Sequence, residues 1–135
     1  MQQQKARGLR NNNPGNIRIS ATKWQGEIRP SQDKSFCQFS TMAYGYRALI
    51  KLLQNYAKLN GCRTMSDYIH RWAPPSENNT SGYLSRVCRE MHIPAAYVPN
   101  VNDQATMCAF AAAISVVENG IPAVMTDITA GWKLL

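Results

Sequence analysis

The chain is predicted to fold as a mostly α (α+β) domain, helical throughout except for a small β element near the N-terminus. Three observations predict it. Apolar residues recur at helical spacing in several windows. A long apolar run, residues 107–117, ends in Glu118-Asn119-Gly120. The first twenty residues are polar and rich in turn formers, and only Ile17-Arg18-Ile19 alternates as a short strand would.

The elements follow in order. Asn11-Asn12-Asn13-Pro14-Gly15-Asn16 is dense turn chemistry, because Asn bonds nearby backbone and Gly permits positive φ. Residues 20–35 read as a loop or hairpin around Trp24 and Gly26, and Phe36 and Phe39 anchor the entry to a helix. Ser40 or Thr41 caps that helix, which runs to about Leu59 with Tyr46, Leu49, Ile50, Leu53 and Tyr56 on one face, and Gly61 ends it. A short helix starts at Thr64 with Asp67 as capping-box partner, carries Met65, Ile69 and Trp72 on one side, and stops at Pro74-Pro75. Thr80 caps the next, whose stripe is Tyr83, Leu84, Val87, Cys88 and Met91. After an irregular stretch at 92–102, Asp103 caps the apolar helix that ends at Glu118, with Gly120 as its stop, and a last short helix falls within 123–133. No repeat or linker interrupts residues 1–135, so one domain is expected.

Bulk properties narrow the function. At 135 residues, 44% hydrophobic and 17% charged, the chain is long enough for a real core. No stretch approaches the roughly 20 apolar residues of a membrane helix, so no membrane span is expected. Met1 to Arg7 lacks an apolar segment, so no secretory signal is expected and the chain is made in the cytoplasm. A net charge of +7, from 15 basic and 8 acidic residues, suits a polyanionic partner or simply a basic soluble surface. Cys37, Cys62, Cys88 and Cys108 contain no C-x-x-C, so no metal site is expected. They read as reduced, buried thiols, with a disulfide of undetermined pairing as the alternative.

The acids carry the catalytic question. Asp67 and Asp103 have capping roles, Glu90 lies on a polar helix side, Asp127 on a weakly patterned tail and Asp33 in a polar loop. Glu27, Glu77 and Glu118 remain. Glu118 ends the apolar helix, and apolar surroundings together with a helix C-terminus favour the protonated carboxyl; the competing reading is a solvent-facing helix end. Glu77 lies in Trp72-Ala73-Pro74-Pro75-Ser76-Glu77-Asn78-Asn79-Thr80, either a site or an ordinary acid in a capping loop. Glu27, after Gly26, reads as a solvated loop charge. A Cys62 nucleophile paired with His70 or His92 lacks a third orienting group. There is no phosphate-cradling motif and no nucleic-acid-binding motif.

Residues 7–18, Arg7-Gly8-Leu9-Arg10-Asn11-Asn12-Asn13-Pro14-Gly15-Asn16-Ile17-Arg18, resemble the opening of phage virion-associated muralytic proteins with a lysozyme-like fold. The Trp72 to Thr80 segment with Tyr83 and Val87, and Glu118-Asn119-Gly120, resemble the same group. A looser likeness is to glucosaminidases and lytic transglycosylases, in which an apolar helix ends in the catalytic Glu and an Asn-containing segment comes next. Here the Glu-bearing helix comes last, an order that a circular permutation of the domain accounts for; an unpermuted chain makes Glu77 the better acid.

The resemblance implies a peptidoglycan-degrading enzyme that cleaves the glycan strand, as a lytic transglycosylase or a muramidase-type glycoside hydrolase. Glu118 would be the general acid, with Glu77 the second carboxylate that most glycosidases add. Tyr83 would bond the Glu or an N-acetyl group, Asn12 and Asn13 would hold sugar amides, Asn78, Asn79 and Thr80 would offer further polar groups, and Trp24 and Trp72 would stack on sugars, the competing and commoner reading of each tryptophan being a core residue. The implied partners are peptidoglycan glycan strands and a virion or secretion apparatus, with no cofactor and no nucleic acid, and the implied place of action is the periplasm or cell wall. The alternatives are a non-catalytic phage structural or wall-binding module, a murein peptidase on the same scaffold, and a basic nucleic-acid binder.

Overall fold

The computed structural model describes residues 5–135; the first four of the residues Met1 to Arg7 from which the leader expectation was drawn fall outside them. The described chain is mostly α with a small two-stranded antiparallel sheet. In order it forms α1 (Arg7–Arg10), β1 (Glu27–Ile28), β2 (Gln38–Phe39), α2 (Met42–Asn60), α3 (Met65–Trp72), α4 (Thr80–Met91), α5 (Gln104–Asn119) and α6 (Met125–Lys133). Glu27 pairs with Phe39 and Ile28 with Gln38.

The helix signals are realised as side-chain caps. Thr41 accepts from the Tyr44 amide at the start of α2, and Gly61 closes it at φ +66°. Thr64 and Asp67 form a full capping box on α3. Asp103 caps α5 and Gly120 ends it at φ +74°, the left-handed region that costs glycine least. The stripe of α2 is buried as Tyr46, Leu49, Ile50 and Leu53 against Met65, Ile69, Phe110, Ile114 and Ile128. Each such side chain removed from water contributes about 1.5–3 kcal/mol before entropic costs. Tyr68 and Phe110 meet edge to face, centroids 5.8 Å apart. α2 lies closely against α6, where a Cβ on Gly131 would come within 2.7 Å of the Ala43 carbonyl oxygen.

Four local expectations are corrected. One turn of helix, α1, stands where only polar turn was read; four residues are too few to show a periodicity. Ile17 to Ile19 makes an isolated bridge, Arg18 to Phe36, rather than a strand, although the Cys37 amide donates to Ile17 and the Ile19 amide to Ser35. The cap of α4 is Asn79, whose Oδ1 accepts from the Gly82 amide, and Thr80 is the first helical residue, its buried hydroxyl donating to the Ala73 carbonyl. Glu27 is not a solvated loop charge. It is 7% exposed, pairs with Arg29 Nε at 2.8 Å and accepts from the Trp24 amide at 2.9 Å. All four cysteines are free thiols, with Cys37, Cys88 and Cys108 buried.

Burial alone would raise the Glu27 pKa, but the Arg29 hydrogen bond, the Trp24 amide, Cys37 and the Arg29 charge together outweigh it and hold the carboxyl below its ordinary value. Burial, and then the Glu27 charge, push the Cys37 thiol up to about 12. A depressed carboxyl stabilises the fold above its unfolded pKa and loses that contribution as pH falls through the folded value. Thermal stability is therefore expected to fall as pH drops below the ordinary Glu value of 4.5. Glu27→Gln is expected to cost about 1.5–3 kcal/mol near neutrality, through lost charge-assisted hydrogen bonds, and to lose much less on acidification. Melting curves of both proteins at neutral and acid pH check this; identical acid sensitivity would contradict it.

Candidate functional site

The C-terminal end of α5 is where the site forms. Ser115, the one hydroxyl in the apolar run, accepts from the Tyr46 phenol at 2.9 Å. One turn on, Asn119 donates to the Ser115 and Pro14 carbonyls, both at 3.0 Å. This polar seam fixes the end of α5 against the Asn-rich turn, so the first motif of the chain meets the last. Asn16 Nδ2 donates to Glu118 Oε1 at 2.8 Å across 102 positions of sequence. Asn16 holds φ +50°, a conformation asparagine reaches more readily than most residues.

The other carboxylate oxygen is held from α4. The Tyr83 hydroxyl donates to Glu118 Oε2 at 2.8 Å and accepts from Trp72 Nε1 at 3.0 Å. Burial first, then the neighbouring Glu118 charge and hydrogen bond, raises the Tyr83 pKa far above its ordinary value. Tyr83 is thus a neutral donor at every working pH. Amide and hydroxyl donors, rather than the apolar walls expected from the sequence, hold this carboxylate.

Glu118 borders a cleft of about 680 Å³. Tyr56 of α2, Arg71 and Trp72 of α3 and Glu77 of the loop that follows line it together with Asn16, Arg18, Trp24 and Phe36 from the N-terminal segment. The volume is that of a site for a sizeable organic ligand. Glu77 is exposed in the same cleft. Trp24 borders it with a buried indole Nε1–H that has no partner among the described residues.

The other expected site residues lie elsewhere. Asn13 is fully buried, donating to the Ile17 and Cys37 carbonyls and accepting from the Ile17 amide. Asn12 donates to the Phe39 carbonyl. Asn79 and Thr80 are taken up by capping and by the Ala73 carbonyl. None of these four lines the cleft, because the backbone of a tight turn or helix start uses their polar groups. Asn78, the third polar residue beside Glu77, does border it, and so does Asn16, which the sequence gives no role of its own. Among the described residues no cluster of three His, Cys, Asp or Glu is placed to hold a metal, and no helix is long and apolar enough to cross a membrane.

A mostly helical domain with one carboxylate aimed from a helix end into a mixed polar and aromatic cleft is thus what the fold and site define. The chain is 34% identical over 131 residues to "Protein P5" of Pseudoalteromonas phage PM2, a match covering 95% of this chain and 81% of that protein. It belongs to the family of that phage protein. No family model matches the chain.

Proposed function

We infer that the chain is a peptidoglycan-degrading enzyme that cleaves the glycan strand, with Glu118 as general acid. One observation carries the reading: the hydrogen bond from Asn16 to Glu118. It joins in space the catalytic-type helix end and the Asn segment that stand next to each other in the resembling enzymes, as a circularly permuted lysozyme-like domain requires. The phage relative supports association with a virion; on this reading that association is the route to the cell wall.

Glycosidic cleavage needs a proton on the leaving oxygen and stabilisation of an oxocarbenium-like centre. A protonated Glu118 donates to the bridging oxygen. Tyr83 and Asn16 then hold the carboxylate left behind, two donors set in place before charge develops there. Glu77 is positioned in the cleft to serve as the second carboxylate of a hydrolase. In a transglycosylase reaction it is dispensable, because the muramic 6-hydroxyl is the nucleophile and Glu118, now anionic, takes up its proton.

Activity on purified sacculi in a gel overlay tests the reading; clearing supports it, and a folded protein that clears nothing favours a wall-binding module instead. Tyr83 acts through Glu118, as a positioning residue. Tyr83→Phe is expected to lower kcat on soluble murein fragments about 10-fold, the scale of one hydrogen bond to a charged group, with KM little changed. A rise in KM at constant kcat would show that Tyr83 contacts substrate instead.

A further inference from the structure

The cleft carries a charge pattern that proton transfer does not use. Three arginines border it, each stacked on an aromatic ring. The guanidinium carbons of Arg7 and Arg18 lie 5.0 Å from the centroid of Phe36, and that of Arg71 lies 5.4 Å from Tyr56. Arg7 is paired with Asp33 at 3.2 Å. Arg18 and Arg71 have no ion-pair partner among the described residues.

A guanidinium held over an aromatic ring still carries N–H donors that suit a carboxylate. Arg18 follows the Asn-rich turn and Arg71 lies near the end of α3, so the two guanidiniums reach the cleft from different elements. Glu77 and Glu118 lie in the same cleft. A chain with a phosphate at every unit would meet these acids as well as the arginines. A strand whose carboxylates are spaced apart can place them at the arginines and its uncharged sugars at the acids.

We propose that Arg18 and Arg71 are specificity residues that bind carboxylates borne on the glycan, so that the cleft selects acidic, carboxylated strands over neutral amino-sugar polymers. The proposal rests on the glycan-cleaving reading but concerns binding, and it is read without turnover. In peptide-bearing strands these carboxylates are those of the stem peptide, because the lactyl carboxyl of the muramic sugar is amide-bonded to the first peptide residue; the lactyl group is a free carboxylate only where that peptide has been removed.

The test uses the full chain carrying Glu118→Gln, sedimented with intact sacculi and with sacculi whose carboxyls have been converted to methylamides. Intact sacculi are expected to bind about 10-fold more tightly, and Arg18→Gln with Arg71→Gln to cut that preference below about 3-fold, the scale of two partly exposed charge contacts. Lys58→Gln with Lys133→Gln removes the same charge from residues that do not border the cleft and is expected to keep the preference. Strands stripped of stem peptide by an amidase, which frees the lactyl carboxylate, separate the two: tight binding kept shows that a lactyl carboxylate suffices, and binding lost assigns the stem-peptide carboxylates. The proposal is overturned if both kinds of sacculi bind equally, if the lysine pair matters as much as the arginine pair, or if single-stranded DNA competes as well as peptide-bearing glycan. Absence of cleavage by the unmodified chain would refute the catalytic reading and leave this binding comparison standing.

Discussion

Glu118→Gln is expected to lower the release of soluble glycan from murein by roughly 10²–10⁴-fold, the contribution of a positioned general acid. That is about 2.7–5.4 kcal/mol of barrier at ~1.36 kcal/mol per decade. Gln keeps the length and shape of the side chain and can still accept from Tyr83. What it lacks is a transferable proton and, afterwards, a negative charge for Asn16 and Tyr83 to stabilise. The effect should fall on kcat, because both are needed in the transition state rather than in substrate binding. A thermal midpoint close to that of the unmodified chain separates lost chemistry from lost fold. Unchanged activity in a folded variant would remove Glu118 from the mechanism. If Glu77→Gln were the damaging change instead, the acid would lie on the α3–α4 loop.

Gly45→Ala is expected to have the largest effect on stability. A Cβ there would lie 2.0 Å from the Asn12 carbonyl oxygen, 2.7 Å from Pro14 Cδ and 3.0 Å from the Asn12 carbonyl carbon. Two of these atoms are backbone and the third is a proline ring, so none can rotate away. Relief requires α2 to back off the Asn-rich turn, at a cost of about 3 kcal/mol or more, the upper range for overpacking. For a chain of this size that is about 10 °C of melting temperature. Because the same turn presents Asn16 to Glu118, activity should fall even at temperatures where the variant is folded. Gly61→Ala is the informative contrast. Nothing lies within 4 Å of its Cβ position, so only left-handed strain of about 1 kcal/mol is expected. Calorimetry on the two variants checks the difference, and equal midpoints would contradict it.

The long helices were legible in the sequence because each signal is local. A stripe at i, i+3 and i+4, a Thr or Asp cap and a closing Gly lie within one segment, and tertiary contacts reinforce them. The place of Glu118 was legible for a related reason, since an apolar helix with its acid at the last turn is a one-dimensional pattern; the bond from Tyr83 was implied by the resemblance alone. The asparagines were not. Asn11, Asn12, Asn13 and Asn16 are chemically identical and lie within six positions, and only the folded turn decides which amides serve the backbone and which one reaches the carboxylate. Glu27 was misread for the same reason. Its loop looks solvated, yet Arg29 and the Trp24 amide, brought round by a tight turn, make burial tolerable. Trp24 and Trp72 also looked alike; Trp24 borders the cleft with its N–H unpaired, while Trp72 borders it and donates to Tyr83.

The central claim is that Glu118 protonates a glycosidic oxygen of murein bound in the cleft. Mass spectrometry of the fragments released from purified sacculi tests it most directly. Disaccharide-peptides are expected, ending in 1,6-anhydro-muramic acid for a transglycosylase and in a reducing sugar for a hydrolase, and they are expected to be lost with Glu118→Gln. Release of free stem peptides from intact glycan strands, or fragments that persist undiminished in the Glu118→Gln protein, would contradict it.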